Sequence, residues 1–129
     1  MRTVTRAELP QVPSLLIRIS REWHAGLTEE QLYERVRRYW KIQPERREAP
    51  PVLAFGLADG VIRAVYRIDS WERFDMAHER KSADRVDQSP HQPGVRVGFV
   101  GRPAVEFQNF VGCVLADAPR GQNPVTYTP

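Results

Sequence analysis

In the stretch GVIRAVYRIDSW (60–71), Arg63 and Arg67 alternate with β-branched and aromatic residues before the run closes on Asp69 and Trp71. Read as a strand over 61–68, Val61, Arg63, Val65 and Arg67 share one face, and Ile62, Ala64, Tyr66 and Ile68 share the other. The second face is expected to be core. The first carries two guanidinium groups roughly 7 Å apart along the strand, which suits successive phosphates on a single nucleic-acid strand. The same pattern also describes a solvated sheet face, with arginine stems covering apolar surface and Asp69 pairing with Arg67. Trp71, with Phe74 just beyond it, stands where the strand is expected to leave the sheet, placed either to stack on a base or to plug the end of the fold.

Charge points the same way. The chain has 19 basic and 16 acidic residues, a net +3. Ten basic and seven acidic residues fall in positions 1–48, and nine of each lie beyond, so the whole excess is N-terminal. Its densest part is Arg35, Arg37, Arg38, Lys41, Arg46 and Arg47, partly offset by Glu34, Glu45 and Glu48. Nearly all are arginine, the side chain suited to bidentate phosphate contacts; a genome rich in G and C produces the same bias.

Asp69, followed ten residues on by Glu79-Arg80-Lys81, resembles the metal-binding motif of restriction-type nucleases. There, carboxylates hold Mg²⁺ and a lysine stabilises the attack. Such motifs sit on buried strands, and MAHERKSADR lacks apolar alternation. His24, His78 and His91 have no zinc-type spacing, and no P-loop or GxGxxG is present. The lone Cys113 is expected to be a small buried residue. No cofactor is implied. No apolar run approaches the roughly 18 residues that span a bilayer, and the N-terminus lacks a signal-type core, so a cytoplasmic protein without membrane contact is expected.

The elements that must position these groups are legible from local signals. SLLIRIS (14–20) reads as a buried strand. Thr28 with Gln31 forms a capping box, with Leu27 and Leu32 at staple spacing, and a helix over 28–41 follows. Leu32, Val36 and Trp40 mark its buried stripe, leaving Arg35, Arg37, Arg38 and Lys41 to face solvent or a partner. Pro44 stops it. The pair Asp59-Gly60 between two β-rich runs predicts a hairpin with a type I′ turn. Residues 72–93 read as a long polar loop, and RVGFVG, AVEFQNFVGCVL and PVTYT supply the last strands. One domain is expected: a small α+β fold whose mostly antiparallel sheet is curled or closed, its strands linked by turns and one helix packed on it.

Tyr39-Trp40-Lys41, GVIRAVYRIDSW, RVGFVG, FVGCV and GQNPVTY together are similar to a small family of prokaryotic and phage domains that resembles the PUA-like group (ASCH, EVE and PUA domains). The similarity spans about residues 14–127. It implies a barrel of about five or six strands that binds RNA, modified DNA bases or nucleotides in a cleft between barrel and helix. Two positions depart from that pattern: Val97 stands where an aromatic is expected and Cys113 where a basic residue is expected. The Asn123-Pro124-Val125 piece is retained; Asn123 either touches a ligand or starts an extended entry into the last strand.

The leading expectation is a non-catalytic nucleic-acid or nucleotide module using Arg35, Arg38, Lys41, Arg63, Arg67, Trp71 and Asn123. The alternatives are an assembly subunit or homodimer, and a metal-dependent nuclease.

Overall fold

The computed structural model describes residues 2–76 and 94–128. Its elements are β1 (Thr3–Val4), β2 (Ser14–Arg18), α1 (Glu29–Arg37), β3 (Leu53–Ala58), β4 (Val61–Asp75), β5 (Val95–Pro103), β6 (Val114–Leu115) and β7 (Val125–Thr128). Short 3-10 turns occupy Arg6–Glu8, Pro44–Arg46 and Val105–Phe110. Glu79, Arg80, Lys81, His78 and His91 lie outside the described residues.

All seven strands join one sheet in the order β1-β6-β4-β3-β2-β7, with β5 paired to β4 off this path. The architecture is α+β. Four of the six strand pairings are antiparallel, and among the described residues the sheet is open rather than closed. The strands are not all linked by turns. β2 and β3 are parallel, so the segment between them, α1 included, is a crossover and not a turn; parallel neighbours cannot be joined by a tight turn.

The hairpin forms where the Asp-Gly pair places it. Asp59 and Gly60 have φ of 54° and 75°, the doubly positive geometry of a type I′ turn. β4 then runs to Asp75, so it does not leave the sheet at Trp71, which pairs with Phe99 of β5. Both faces of the sheet are covered. On one, Leu16, Phe55, Ile62 and Val65 pack with Leu9 and Cys113; on the other, Leu15, Ile17, Ala64, Tyr66 and Phe99 pack with Val36 of α1. That is why three consecutive residues of β2, Leu15, Leu16 and Ile17, are all fully buried.

The helix starts as its capping box dictates. The Thr28 Oγ accepts from the Gln31 N–H at 3.1 Å, and the Gln31 side-chain oxygen accepts from the Thr28 N–H at 3.0 Å. Thr28→Ala should therefore cost about 1 kcal/mol, seen as a lower urea midpoint with an unchanged slope.

Its end is not where periodicity puts it. α1 stops at Arg37; Tyr39 has φ 65°, and Trp40 leaves the helix to form a β-bridge with Val97. The Trp40 indole N–H then turns back to donate to the Val36 carbonyl at 2.8 Å, satisfying one of the acceptors a helix end leaves open. Glycines let α1 sit this close to the sheet. A Cβ on Gly98 would lie 2.7 Å from both the Arg37 carbonyl oxygen and the Arg38 Cβ, and one on Gly56 would lie 2.7 Å from a Val36 methyl.

Tyr66 is buried and meets Tyr33 edge-on at 5.2 Å. Burial, then Tyr33 and Glu29, push its phenol well above the usual tyrosine range. The folded chain thus holds that proton more tightly than the unfolded chain. The resulting stability is intact below about pH 10 and is lost at up to about 1.4 kcal/mol per pH unit above it. Alkaline denaturation of Tyr66→Phe should show a shallower fall.

Candidate ligand-binding recess

Arg35, Arg37 and Arg38 do not form the outward basic face expected of α1. Arg35 is 1% exposed and donates to the Gln31 carbonyl. Arg37 is also buried: its Nε donates to the Phe99 carbonyl at 3.0 Å, and its terminal nitrogens lie 3.2 Å from Glu34 and 3.0 Å from Glu72. Burial opposes the Arg37 charge, but the two carboxylates outweigh it and raise its pKa above that of a free arginine. Arg38 lies 2.9 Å from Glu34, close but not aligned as a hydrogen bond through Nε, with its guanidinium over the Tyr39 ring. The physical reason is the shortened helix. Its C-terminal turn drops onto β4 and β5, so the residues there are turned inward. Lys41, beyond the helix, is exposed.

Arg63 and Arg67 do not share a face either. In the β3–β4 ladder Gly56 pairs with Ala64 and Leu57 with Ile62, which leaves Arg63 as the extra residue of a bulge. A bulge advances the side-chain alternation by one. Ile62 and Val65 consequently fall in one core, and Ala64 and Tyr66 in the other. The Arg63 guanidinium lies 3.7 Å from the Trp23 ring centroid on the α1 side. Arg67 instead pairs with Glu106 of the 3-10 turn Val105–Phe110, on the opposite side. Asp69 pairs with Arg102 at 3.2 Å, not with Arg67. Trp71 is half-buried against the α1-side core. The Asn123 side-chain oxygen accepts from the Val125 N–H at 3.0 Å, the turn that starts β7.

The tertiary structure gathers a different set. Pro44 is fully buried and pins the 3-10 turn Pro44–Arg46, so that the polar segment after it is held against the end of the sheet. There Arg46, Arg47 and Glu48 join Pro13, Pro51 and Tyr127 around an open recess of about 460 Å³. The Arg47 guanidinium carbon lies 3.7 Å from the centroid of the Tyr127 ring. Partial burial lifts the Tyr127 phenol above its ordinary value, opposed by Arg47 and by a backbone hydrogen bond from Gln43.

Five arginines elsewhere face a carboxylate: Arg37 pairs with Glu34 and Glu72, Arg38 with Glu34, Arg67 with Glu106, Arg73 with Glu45 and Arg102 with Asp69. Among the described residues Arg46 and Arg47 have no ion pair. The recess therefore offers two planar cations that make no ion pair, beside an aromatic ring and with one carboxylate, Glu48, in the wall, a combination suited to an anionic ligand with a flat apolar part. No family model, curated protein or solved structure matches this chain.

Among the described residues no three His, Cys, Asp or Glu side chains group as metal ligands. Cys113 is buried in the core as its apolar reading requires, its Sγ 3.6 Å from the Asn109 carbonyl. Among the described residues no helix is long and apolar enough to cross a membrane.

Arg46 and Arg47 are visible in the sequence as part of the basic cluster, and Pro44 at the first position of a turn is a usable signal that the segment is structured. Nothing local says that Tyr127 meets them.

Proposed function

We propose that this chain is a non-catalytic recognition module for nucleic acid or nucleotides, of PUA-like architecture, and that its ligand enters the recess at Arg46, Arg47 and Tyr127. The observation that carries this reading is the pairing of two cations that lack carboxylate partners with an aromatic ring in one concavity. Arginine binds phosphate through two parallel N–H groups, and a ring beside it accepts a base. Arg63 and Arg67 are engaged with Trp23 and Glu106 and are not required.

The test is binding of labelled single-stranded and duplex oligonucleotides, modified and unmodified, at two salt concentrations. Binding should weaken with salt, and the double variant Arg46→Gln/Arg47→Gln should flatten the log–log slope by about 1 to 2 units. Arg67→Gln should bind as the parent does. Absence of binding at low salt, or binding indifferent to salt, would remove the phosphate contact and the reading with it.

A second reading has its own observation. β7 ends the sheet, and Arg18 donates to the Pro124 carbonyl across the β2–β7 pair. By the alternation of an antiparallel ladder, the N–H and C=O of Tyr127 then point away from β2, at an open edge. A strand of a partner or a second copy would pair there. Light scattering after size exclusion distinguishes the two, since a stable dimer mass independent of loading concentration belongs to the second alone.

A further inference from the structure

Resting on the nucleic-acid reading above, we infer that the recess takes a single unpaired nucleotide unit, its phosphate held by Arg46 and its base stacked on the Arg47–Tyr127 pair. It therefore selects single strands and free nucleotides over duplex. Size is the first argument. A concavity of about 460 Å³ lies in the range of roughly 300 to 1,000 Å³ that accommodates small-molecule ligands.

The second argument is the stack itself. With its carbon 3.7 Å from the Tyr127 centroid, the Arg47 guanidinium rests on the ring, and a flat cation on a ring presents a second flat face outward. Bases stack on arginine planes as they do on aromatic rings. Bases inside a duplex have both faces covered by their neighbours, so only an unpaired base can use such a platform. The third argument is the division of labour between adjacent residues. Arg47 is engaged with the ring, whereas Arg46 is exposed and among the described residues has no ion pair, leaving its fork for phosphate. Pro13 and Pro51 flank the platform, and their fixed φ limits the ordering entropy the walls lose on binding.

The probes are adenosine 5′-monophosphate, ribose 5-phosphate and inorganic phosphate, titrated calorimetrically into the full chain at low salt. Adenosine monophosphate should bind about tenfold more tightly than ribose 5-phosphate, the effect expected of one stacked base. Arg47→Lys keeps the charge and removes the plane; it should erase most of that tenfold preference and leave ribose 5-phosphate binding unchanged. Arg46→Gln should weaken both ligands by the same factor. Tyr127→Leu, checked for folding by circular dichroism because the ring is partly packed, should act like Arg47→Lys. Equal affinity for the two sugar phosphates in the parent protein overturns the stacking inference while leaving the phosphate reading standing. Failure of every phosphate probe and every oligonucleotide to bind overturns both. A nucleotide preference that survives in both Arg47→Lys and Tyr127→Leu overturns the location, and equal binding of duplex and single strand overturns the selectivity.

Discussion

Arg37→Met is expected to lower the free energy of unfolding by about 3 kcal/mol, although methionine keeps the length and the apolar stem of the side chain. The loss has separable parts. The Phe99 carbonyl, on a fully buried residue, loses the Nε–H it accepts from at 3.0 Å, and an abandoned buried acceptor costs about 1 to 3 kcal/mol. The guanidinium also lies 5.6 Å from the Tyr33 centroid and 5.8 Å from that of Phe74, contacts worth about 0.5 to 1 kcal/mol each. The pairs to Glu34 and Glu72 add little more, because both carboxylates are 42% exposed and are rehydrated once the arginine is gone. Equilibrium urea denaturation of the two proteins measures the difference. A change below 1 kcal/mol would mean that α1 is held to the sheet by Val36 and its neighbours alone. Arg37→Lys should recover only part of the loss, since one ammonium cannot reach the carbonyl and both carboxylates with the geometry of the fork.

Gly101→Ala should be as damaging through an added methyl group. A Cβ at Gly101 would fall on the Arg67 carbonyl oxygen of the neighbouring strand, with the Phe99 ring 3.3 Å away. A backbone oxygen in a β-ladder cannot rotate aside, so the two strands must separate where β4 and β5 begin to pair. The Gly101 N–H also donates to the Tyr33 hydroxyl at 2.9 Å, a bond that the same shift breaks. Overpacking typically costs about 1 to 3 kcal/mol, and the upper end is expected here. Gly60→Ala is the useful contrast. Its Cβ would meet nothing within 4 Å, so it should cost only about the 1 to 2 kcal/mol of a left-handed backbone conformation. If Gly101→Ala proved no more destabilising than Gly60→Ala, the close strand approach would not be a constraint on this fold.

Both variants bear on how much of the fold could be read in advance. The α+β class, the start of α1 at Thr28, the hairpin at Asp59-Gly60 and the burial of SLLIR were legible because each rests on residues within a few positions of one another. The end of α1 was not. Trp40 sits at the right spacing to continue the buried stripe, but it leaves the helix and exchanges two backbone hydrogen bonds with Val97, a partner 57 residues away that no local pattern reveals. The candidate site suffered most. The presumed arginine face of β4 depended on unbroken alternation, and the bulge at Arg63 ended it, sending Arg63 to Trp23 and Arg67 to Glu106.

What the amino-acid sequence determined by itself was therefore the set of local conformations: which residues cap, which turn, and which alternate. Dihedral preferences and neighbouring side chains decide those at short range. What only the tertiary structure decided was which arginines meet a carboxylate or an aromatic ring and which remain available. That depends on strand register, on a bulge that inverts the faces of β4, and on β7 arriving beside the turn after Pro44 so that Tyr127 meets Arg47. Such meetings are set by how the sheet packs between its two cores, and no short-range preference encodes them.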